Sequence, residues 1–176
     1  MDPRYARNVP ALSEAECELL RRKRVLVVGC GGLGGHLIDM LARIGIGSLR
    51  VVDGDAFEPS NLNRQLEALT STVGLPKAEA VARRIADINP NAVLHPLQEL
   101  YNAENRSRFF PEGCRYDYIV DAIDLVSCKL DLAETARRLK IPLMMALGTG
   151  NKLDPSQLRL ADISETYGCP LARVMR

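Results

Sequence analysis

The glycine-rich segment 29–34 constrains the fold of this chain more than any other part of its sequence. It reads Gly-Cys-Gly-Gly-Leu-Gly and directly follows the β-branched run Arg24–Val28. Such a run is typical of a strand that is buried on both faces of a parallel sheet. Glycines in this context allow a tight turn into a helix and a close approach of the backbone to a ligand. The glycines predicted to contact a nucleotide are Gly29, Gly31, Gly32 and Gly34.

The rest of the chain alternates between strand-like and helix-like patterns. After the first strand, apolar runs predict strands at 49–52, 92–97, 116–120 and 143–147, and a further candidate strand at 158–161. Helical periodicity and capping signals predict helices at 14–22, 77–88, 103–110 and 125–139, one with an apolar stripe from Leu33 to Ile44, and one beginning at Pro170. Strands that alternate with helices form parallel βαβ units with right-handed crossovers. We therefore predict a doubly wound, Rossmann-like and mainly parallel α/β fold with helices on both faces.

Length and composition limit the class of protein. A chain of 176 residues suits one domain rather than two, so residues 1–176 are interpreted as a single domain. Residues 170–176 have the pattern of a helix that is just beginning, and we expect the C-terminal part of the full fold to be missing. The formal net charge of +1 gives no general reason to expect a polyanionic partner.

Neither a membrane nor a metal cluster is indicated. The longest uncharged run, 25–38, contains five glycines and is shorter than the roughly 20 apolar residues that span a bilayer. The first residues contain no apolar signal-peptide core, so a cytoplasmic location without membrane association is expected. The five cysteines form no C-x-x-C pair, which favours free thiols over a zinc site.

An acidic residue, Asp53, ends the second predicted strand, 19 residues after Gly34. In dinucleotide-binding folds, an acidic side chain at about this distance, ~20 residues on, accepts hydrogen bonds from the ribose hydroxyls. The glycine loop and Asp53 therefore predict a bound nucleotide. By themselves they point to NAD or FAD as readily as to ATP.

Polar and cationic residues after the second strand favour a triphosphate. Asn61, Arg64 and Lys77 all lie in this part of the chain. The pyrophosphate of a dinucleotide already occupies the helix N-terminus, whereas the β- and γ-phosphates of ATP carry charge that further cations can bind. Each cation alone is better explained as solvated surface charge. Their joint occurrence with the glycine loop favours phosphate binding.

The loop that follows the fourth strand adds a candidate metal ligand. In the doubly wound order this strand lies beside the first, so residues 121–124 face the glycine loop. Asp124 would there be a suitable ligand for Mg²⁺ opposite a triphosphate, because Mg²⁺ prefers a few carboxylates together with phosphate oxygens. An equally good interpretation makes Asp124 the N-cap of the next helix.

Taken together, these segments resemble the ThiF/MoeB/HesA proteins, the bacterial relatives of ubiquitin-activating enzymes. The matching motifs span nearly the whole chain and lie at 29–34, 53–55, 61–65, 74–77 and 121–124. The resemblance implies ATP-dependent adenylation of a carboxylate with release of pyrophosphate. It implies that Asp53, in a motif shared with Asp55, holds the ribose. It further implies phosphate contacts for Asn61, Arg64 and Lys77, and Mg²⁺ binding for Asp124.

The resemblance also implies a homodimer and narrows the substrate. Arg7 matches an N-terminal arginine that reaches the partner subunit's ATP. Segments 150–155, 161–163 and 170–172 resemble the branch that dehydrates threonylcarbamoyladenosine in tRNA to its cyclic form. Members that activate sulfur carriers usually have a C-x-x-C zinc pair near this region, where Cys169 stands alone.

Two alternative functions stay open at this point. One is adenylation of the C-terminus of a ubiquitin-like or sulfur-carrier protein, in which Cys169 would form a thioester. The sequence favours an unreactive free thiol at Cys169, since no basic residue adjoins it. The other is a nucleotide-binding module that senses NAD or ATP without catalysing a reaction.

Overall fold

A computed structural model describes residues 2–9, 11–150 and 152–176. Within them the strands form one parallel sheet: β1 (Arg24–Val28), β2 (Ser48–Val52), β3 (Val93–Leu97), β4 (Tyr118–Asp121) and β5 (Leu143–Met145). Their spatial order is β3-β2-β1-β4-β5. This is the doubly wound order, and it confirms the predicted fold class and the position of β4 beside β1.

Helices cover both faces of this sheet. They are α1 (Glu14–Leu20), α2 (Gly34–Ile44), α3 (Lys77–Ile88), α4 (Arg106–Phe109), α5 (Val126–Leu139) and α6 (Pro170–Met175). Val25 and Val27 of β1 pack on the face that α2 and α3 cover, whereas Leu26 and Val28 pack on the α5 face. Successive side chains of a strand point to opposite faces, so a strand covered on both sides is apolar throughout. None of the described helices is long and apolar enough to cross a membrane.

Two helices are shorter than predicted. The capping box before α1 is present, because Glu16 N–H donates to Ser13 Oγ and Ser13 N–H donates to Glu16 Oε2. However, α1 ends at Leu20 rather than at residue 22. The helix predicted at 103–110 is reduced to the single turn α4. Asn102 and Asn105 bond nearby backbone N–H groups there, and such side-chain bonds compete with helix formation.

The predicted sixth strand at 158–161 is wrong. These residues lie in no strand of the sheet, and β5 pairs with β4 alone among the described residues. Leu158 and Leu160 are 58% and 84% exposed. An alternating apolar pattern forms a strand only where a sheet edge and a buried face are available to it. The neighbouring tail residue Asn151 lies outside the described residues.

Candidate nucleotide-binding site

The glycine loop has a conformation that a side chain would obstruct. Gly29 has a φ of +100°, and a Cβ there would lie 2.6 Å from the carbonyl oxygen of Ala122. A Cβ at Gly34 would lie 1.8 Å from the carbonyl oxygen of Gly29. The first contact joins the glycine loop to the segment after β4, and the second closes the turn into α2. Both positions therefore require glycine.

The loop opens onto the N-terminus of α2, where an anion can bind. Leu33 is the N-cap of α2 and makes no side-chain capping bond. The first N–H groups of such a helix have no intrahelical partner and carry partial positive charge. A Cβ at Gly31 would lie 3.8 Å from Gln65 Nε2, and one at Gly32 would lie 3.6 Å from Arg64 Cγ. The structure therefore brings the predicted segment 61–65 to the glycine loop.

Asp53 helps to hold this loop in place. Its Oδ2 accepts a hydrogen bond of 2.7 Å from Cys30 N–H, and its Oδ1 accepts one of 2.9 Å from Asp55 N–H. A carboxylate has about four lone-pair sites, so two bonds leave acceptor capacity for a ribose hydroxyl. The side chain stays partly exposed at the carboxyl end of β2. Binding of ribose by Asp53 fits this geometry and stays a prediction.

Two of the three predicted phosphate-binding residues are buried. Lys77 Nζ forms an ion pair of 3.2 Å with Asp55 Oδ2, and the Lys77 side chain is 9% exposed. The interpretation of Lys77 as solvated surface charge is therefore wrong. Asn61 is also buried, and its Oδ1 accepts a bond from Glu58 N–H. Arg64 is exposed, and its Nη1 donates to the carbonyl oxygen of Ser60 at 3.0 Å.

Two buried groups beside the loop were missed by sequence reasoning. Gln65 Oε1 and both carboxylate oxygens of Glu67 have no hydrogen-bond partner. Burial raises the pKa of the Glu67 carboxyl. Burial also raises the pKa of the Cys30 thiol, and the nearby charges of Asp53 and Glu67 raise it further. No local sequence pattern marks Glu67, because its burial results from the way residues 53–76 fold over α2.

The fourth strand carries Asp121 and Asp124 into different environments. Asp121 is the last residue of β4 rather than a loop residue, and its carboxylate is buried against Lys129 at 3.0 Å. Asp124 is exposed. The N-cap of α5 is Leu125, which makes no side-chain capping bond, so the N-cap interpretation of Asp124 is wrong.

The residues present fit a magnesium ion that is bound together with phosphates. Asp124 offers a carboxylate on the loop that touches Gly29. Among the described residues, no group of three or more His, Cys, Asp or Glu side chains converges on one point. Mg²⁺ usually binds one or two carboxylates and completes its shell with water and phosphate oxygens, so it needs no such group.

Lys129 is a further residue that sequence reasoning missed, although a signal was present. It lies on the buried face of α5 with Cys128, Leu132 and Ala136. This 3–4 residue spacing marks the core-facing side of a helix. A lysine on that side needs a buried partner, and Asp121 is the nearest acidic residue that ends a strand.

The structure does not bring Arg7 to the chain's own glycine loop. Arg7 is exposed in the 3₁₀ segment Pro3–Asn8. Asn8 Nδ2 of this segment donates to the carbonyl oxygen of Ile44, at the C-terminus of α2. The glycine loop lies at the other end of this helix, about 16 Å away for 11 residues at 1.5 Å each.

Cys169 lies near the loop that follows β5. Its Sγ accepts a hydrogen bond of 3.3 Å from Ala172 N–H, and a Cβ at Gly148 would lie 3.2 Å from the same sulfur. The Ala172 hydrogen bond lowers the pKa of the Cys169 thiol because it stabilises the thiolate, and Lys152 contributes to the same effect.

The sheet order, the uncapped helix behind a glycine loop, and the polar groups around them define a nucleotide-binding domain of the doubly wound class. The chain belongs to the ThiF family, whose model matches residues 5–175. This match confirms the family that the sequence motifs indicated.

Individual relatives agree with this assignment. The chain is 40% identical over 172 residues to the tRNA threonylcarbamoyladenosine dehydratase of Bacillus subtilis, covering 98% of this chain and 67% of the relative. A crystal structure of the Escherichia coli tRNA N6-threonylcarbamoyladenosine dehydratase in complex with ATP superposes with a TM-score of 0.93 at 36% identity, covering 98% of this chain and 70% of that one. The adenylyltransferase and sulfurtransferase UBA4 of Saccharomyces cerevisiae is 36% identical over 152 residues, covering 85% of this chain and 33% of that protein.

The chain spans only part of the length of the relatives that it matches. It spans 67%, 59% and 64% of the length of the dehydratases of Bacillus subtilis, Haemophilus influenzae and Escherichia coli.

Proposed function

We propose that this chain is the ATP-binding adenylation domain of a tRNA threonylcarbamoyladenosine dehydratase. The observation that carries the proposal is the similarity, along 98% of the chain, to a dehydratase whose crystal structure holds ATP. The geometry agrees with it, because the glycine loop, Arg64, Lys77 and Asp124 all lie at the carboxyl end of the sheet. Ligands of open α/β sheets bind at this end, where the strand order reverses.

The reaction consists of two displacements. In the first, an oxygen of the threonyl carboxylate attacks the α-phosphorus of ATP, and the bond to the bridging oxygen breaks. Pyrophosphate leaves with the bonding electrons, and an acyl-adenylate remains. In the second, the carbamoyl group of the same nucleoside attacks the acyl carbon and loses a proton, and AMP leaves. The net change is the loss of one water from the nucleoside, coupled to conversion of ATP to AMP and pyrophosphate.

The chain's own residues would bind the nucleotide and stabilise the departing charge. Asp53 holds the ribose, and the N-terminus of α2 faces the phosphates. Arg64, Lys77 and Asn61 donate hydrogen bonds to phosphate oxygens as negative charge builds up on pyrophosphate. Asp124 would hold Mg²⁺, which neutralises charge on the triphosphate when bound.

We infer that the active unit is a homodimer in which Arg7 serves the partner's ATP. The position of Arg7, at the far end of α2 from its own glycine loop, supports this arrangement. Mixing inactive Arg7→Ala subunits with inactive Arg64→Ala subunits tests it. Random exchange gives half heterodimers with one intact site each, so about one quarter of wild-type activity should return. Absence of any recovery after confirmed subunit exchange contradicts the arrangement.

An assay of ATP consumption by the full-length protein tests the proposed function. AMP should form with tRNA that carries threonylcarbamoyladenosine, and the cyclic nucleoside should appear in digests of that tRNA. Matched tRNA without the modification serves as the control and should give background turnover. Equal AMP formation with both tRNAs counts against the proposal.

A second candidate is adenylation of the C-terminus of a sulfur-carrier or ubiquitin-like protein. The lowered pKa of Cys169 and its position beside Gly148 favour a thiol that can form a thioester, and UBA4 is among the relatives. Exchange of labelled pyrophosphate into ATP that depends on a small carrier protein, and not on modified tRNA, would favour this function. A Cys169→Ser variant with wild-type turnover of modified tRNA would favour the dehydratase.

A further inference from the structure

A buried ion pair joins the end of β4 to helix α5. Lys129 Nζ lies 3.0 Å from Asp121 Oδ2, and the two side chains are 1% and 0% exposed. Removing two charges from water is costly, and well-packed apolar residues of similar volume often stabilise a fold equally well or better. Stability alone therefore does not explain a charged pair at this place.

The remaining bonds of the pair fix two segments at the carboxyl end of the sheet. They are residues 121–124, which begin at the last residue of β4 and are called loop 121–124, and residues 146–150, called loop 146–150. Asp121 Oδ1 accepts a bond of 3.0 Å from Ile123 N–H in loop 121–124. Lys129 Nζ donates a bond of 2.7 Å to the carbonyl oxygen of Ala146, at the start of loop 146–150. Ala146 N–H in turn donates to the carbonyl oxygen of Asp121. The pair therefore couples the positions of the two loops.

These loops are two walls of a cavity of about 150 Å³ beside the candidate metal ligand. Asp124 and Thr149 line it from the two loops, and Leu33 of the glycine loop and Leu171 line its other sides. Asp124 directly follows Ile123, so the bond between Asp121 and Ile123 fixes the backbone that carries the Asp124 carboxylate. A displacement of loop 121–124 would change the distance from Asp124 to the glycine loop.

We propose that Asp121 and Lys129 are positioning residues that hold Asp124 and loop 146–150 against the glycine loop. The proposal rests on the adenylation function proposed above. Neither residue touches the substrate, and each acts through a loop backbone. Partners that orient metal ligands typically change metal affinity or activity by about 10- to 100-fold when they are removed.

Variants of the full-length protein test this role. Lys129→Met removes one charge, and the double variant Asp121→Leu/Lys129→Met removes both, which avoids leaving a buried carboxylate without a partner. Lys129→Arg keeps the charge. Lys23→Met is the matched control, because it removes a lysine–aspartate pair from the other end of the same strand.

The main measurement is the affinity for a fluorescent ATP analogue with and without Mg²⁺. We expect the double variant to lose about 10- to 100-fold of the Mg²⁺-dependent affinity, whereas AMP binding without metal stays at the wild-type value. Amide exchange at Ile123 and Ala146 should become faster in the double variant. Lys129→Arg should recover part of the affinity, and Lys23→Met should match the wild type.

A folded double variant with wild-type Mg²⁺-dependent affinity and wild-type amide exchange would overturn the proposal. It would also be overturned if the affinity of the wild-type protein for the ATP analogue did not depend on Mg²⁺. Should the double variant not fold, Lys129→Arg and Asp121→Asn decide the question, since unchanged Mg²⁺ dependence in both again overturns it. These measurements need no tRNA. Intact metal-dependent binding without turnover of modified tRNA would therefore count against the proposed function and not against the positioning role.

Discussion

Strand β4 carries a lysine–aspartate pair at each end, and the two pairs differ in almost everything except their chemistry. At the start, Lys23 Nζ lies 2.9 Å from Asp117 Oδ1, and the side chains are 36% and 38% exposed. At the end, Lys129 and Asp121 are buried and bond two loops as well as each other. The first pair is screened by water and salt, whereas the second is screened much less.

The two ends of the sheet differ in what their charged groups contact. At the amino end, charged groups lie on the surface, and a change in one of them has local consequences. At the carboxyl end, loop 121–124 contacts the glycine loop, and the buried pair bonds to the backbone of loop 121–124 and of loop 146–150. The same kind of ion pair therefore links two loops of the candidate site at one end of the strand and lies on the surface at the other.

Lys129→Met should have the largest effect on stability. It leaves Asp121 buried without its partner, and breaking a buried pair in this way costs about 3–5 kcal/mol of unfolding free energy. Urea unfolding at pH 7 measures this cost. The double variant Asp121→Leu/Lys129→Met should recover most of it. A loss below about 1 kcal/mol in the single variant would mean that the two ends of β4 do not differ as described.

Arg64→Ala and Asp124→Ala should each lower turnover by about 10²-fold or more, because each removes a charge that the proposed mechanism uses at the phosphates. Both residues are exposed, so the unfolding free energy should change by no more than about 0.5 kcal/mol. Arg83→Ala is the control, since Arg83 pairs with Glu79 on the exposed surface of α3. Wild-type turnover in both site variants would contradict the site assignment.

Glu67→Gln should change the pH dependence of stability at the carboxyl end. Burial raises the pKa of Glu67 in the folded protein. As pH rises, the Glu67 carboxyl therefore loses its proton in the unfolded chain before it does so in the folded protein. Its contribution to the free energy of unfolding is complete below the ordinary glutamate pKa of about 4.3 and is lost as pH rises through the folded pKa. The wild type should lose stability relative to Glu67→Gln over this interval, measured by urea unfolding at a series of pH values. Parallel curves for the two proteins would refute the prediction.

Lys23→Met should have the smallest effect, at most about 1 kcal/mol, as is usual for an exposed pair. The difference from wild type should disappear in about 1 M salt, where the screening length falls to about 3 Å. Burial opposes ionisation of Asp117, but hydrogen bonds from Lys23 and Arg24 lower its pKa below the ordinary value. The contribution of this pair is therefore present above the ordinary aspartate pKa of about 3.9 and is lost as pH falls through the folded pKa.

Most of the fold could be predicted because its signals are local. β1 and α3 have the predicted bounds, and the other strands that were confirmed differ by three residues or fewer at either end. A β-branched run bounded by turn residues indicates a strand, and an apolar stripe at helical spacing indicates a helix, without reference to the rest of the chain. Residues 158–161 show the limit of this reasoning, because their pattern lacked a sheet edge to pair with.

The candidate site was predictable in part. Segments 29–34 and 61–65 do come together, and Lys77 lies beside Asp55 in the same region. The burial of Lys77 and Asn61 was not predicted, nor were the environments of Glu67 and Gln65. Burial of a polar residue in a long connecting segment depends on how that segment folds over the sheet, and no local period records it.

The sequence by itself determined the order of elements and the nucleotide-binding loop, since glycines, β-branched runs and helical stripes act within a few residues of one another. Only the tertiary structure decided which of the two aspartates in segment 121–124 is exposed. It ended β4 at Asp121, buried that carboxylate against Lys129, and left Asp124 exposed. The two aspartates are alike in sequence and differ because α5 carries a lysine back to the end of β4. Electrostatic environment depends on distance in space, and the chain specifies that distance only once it is folded.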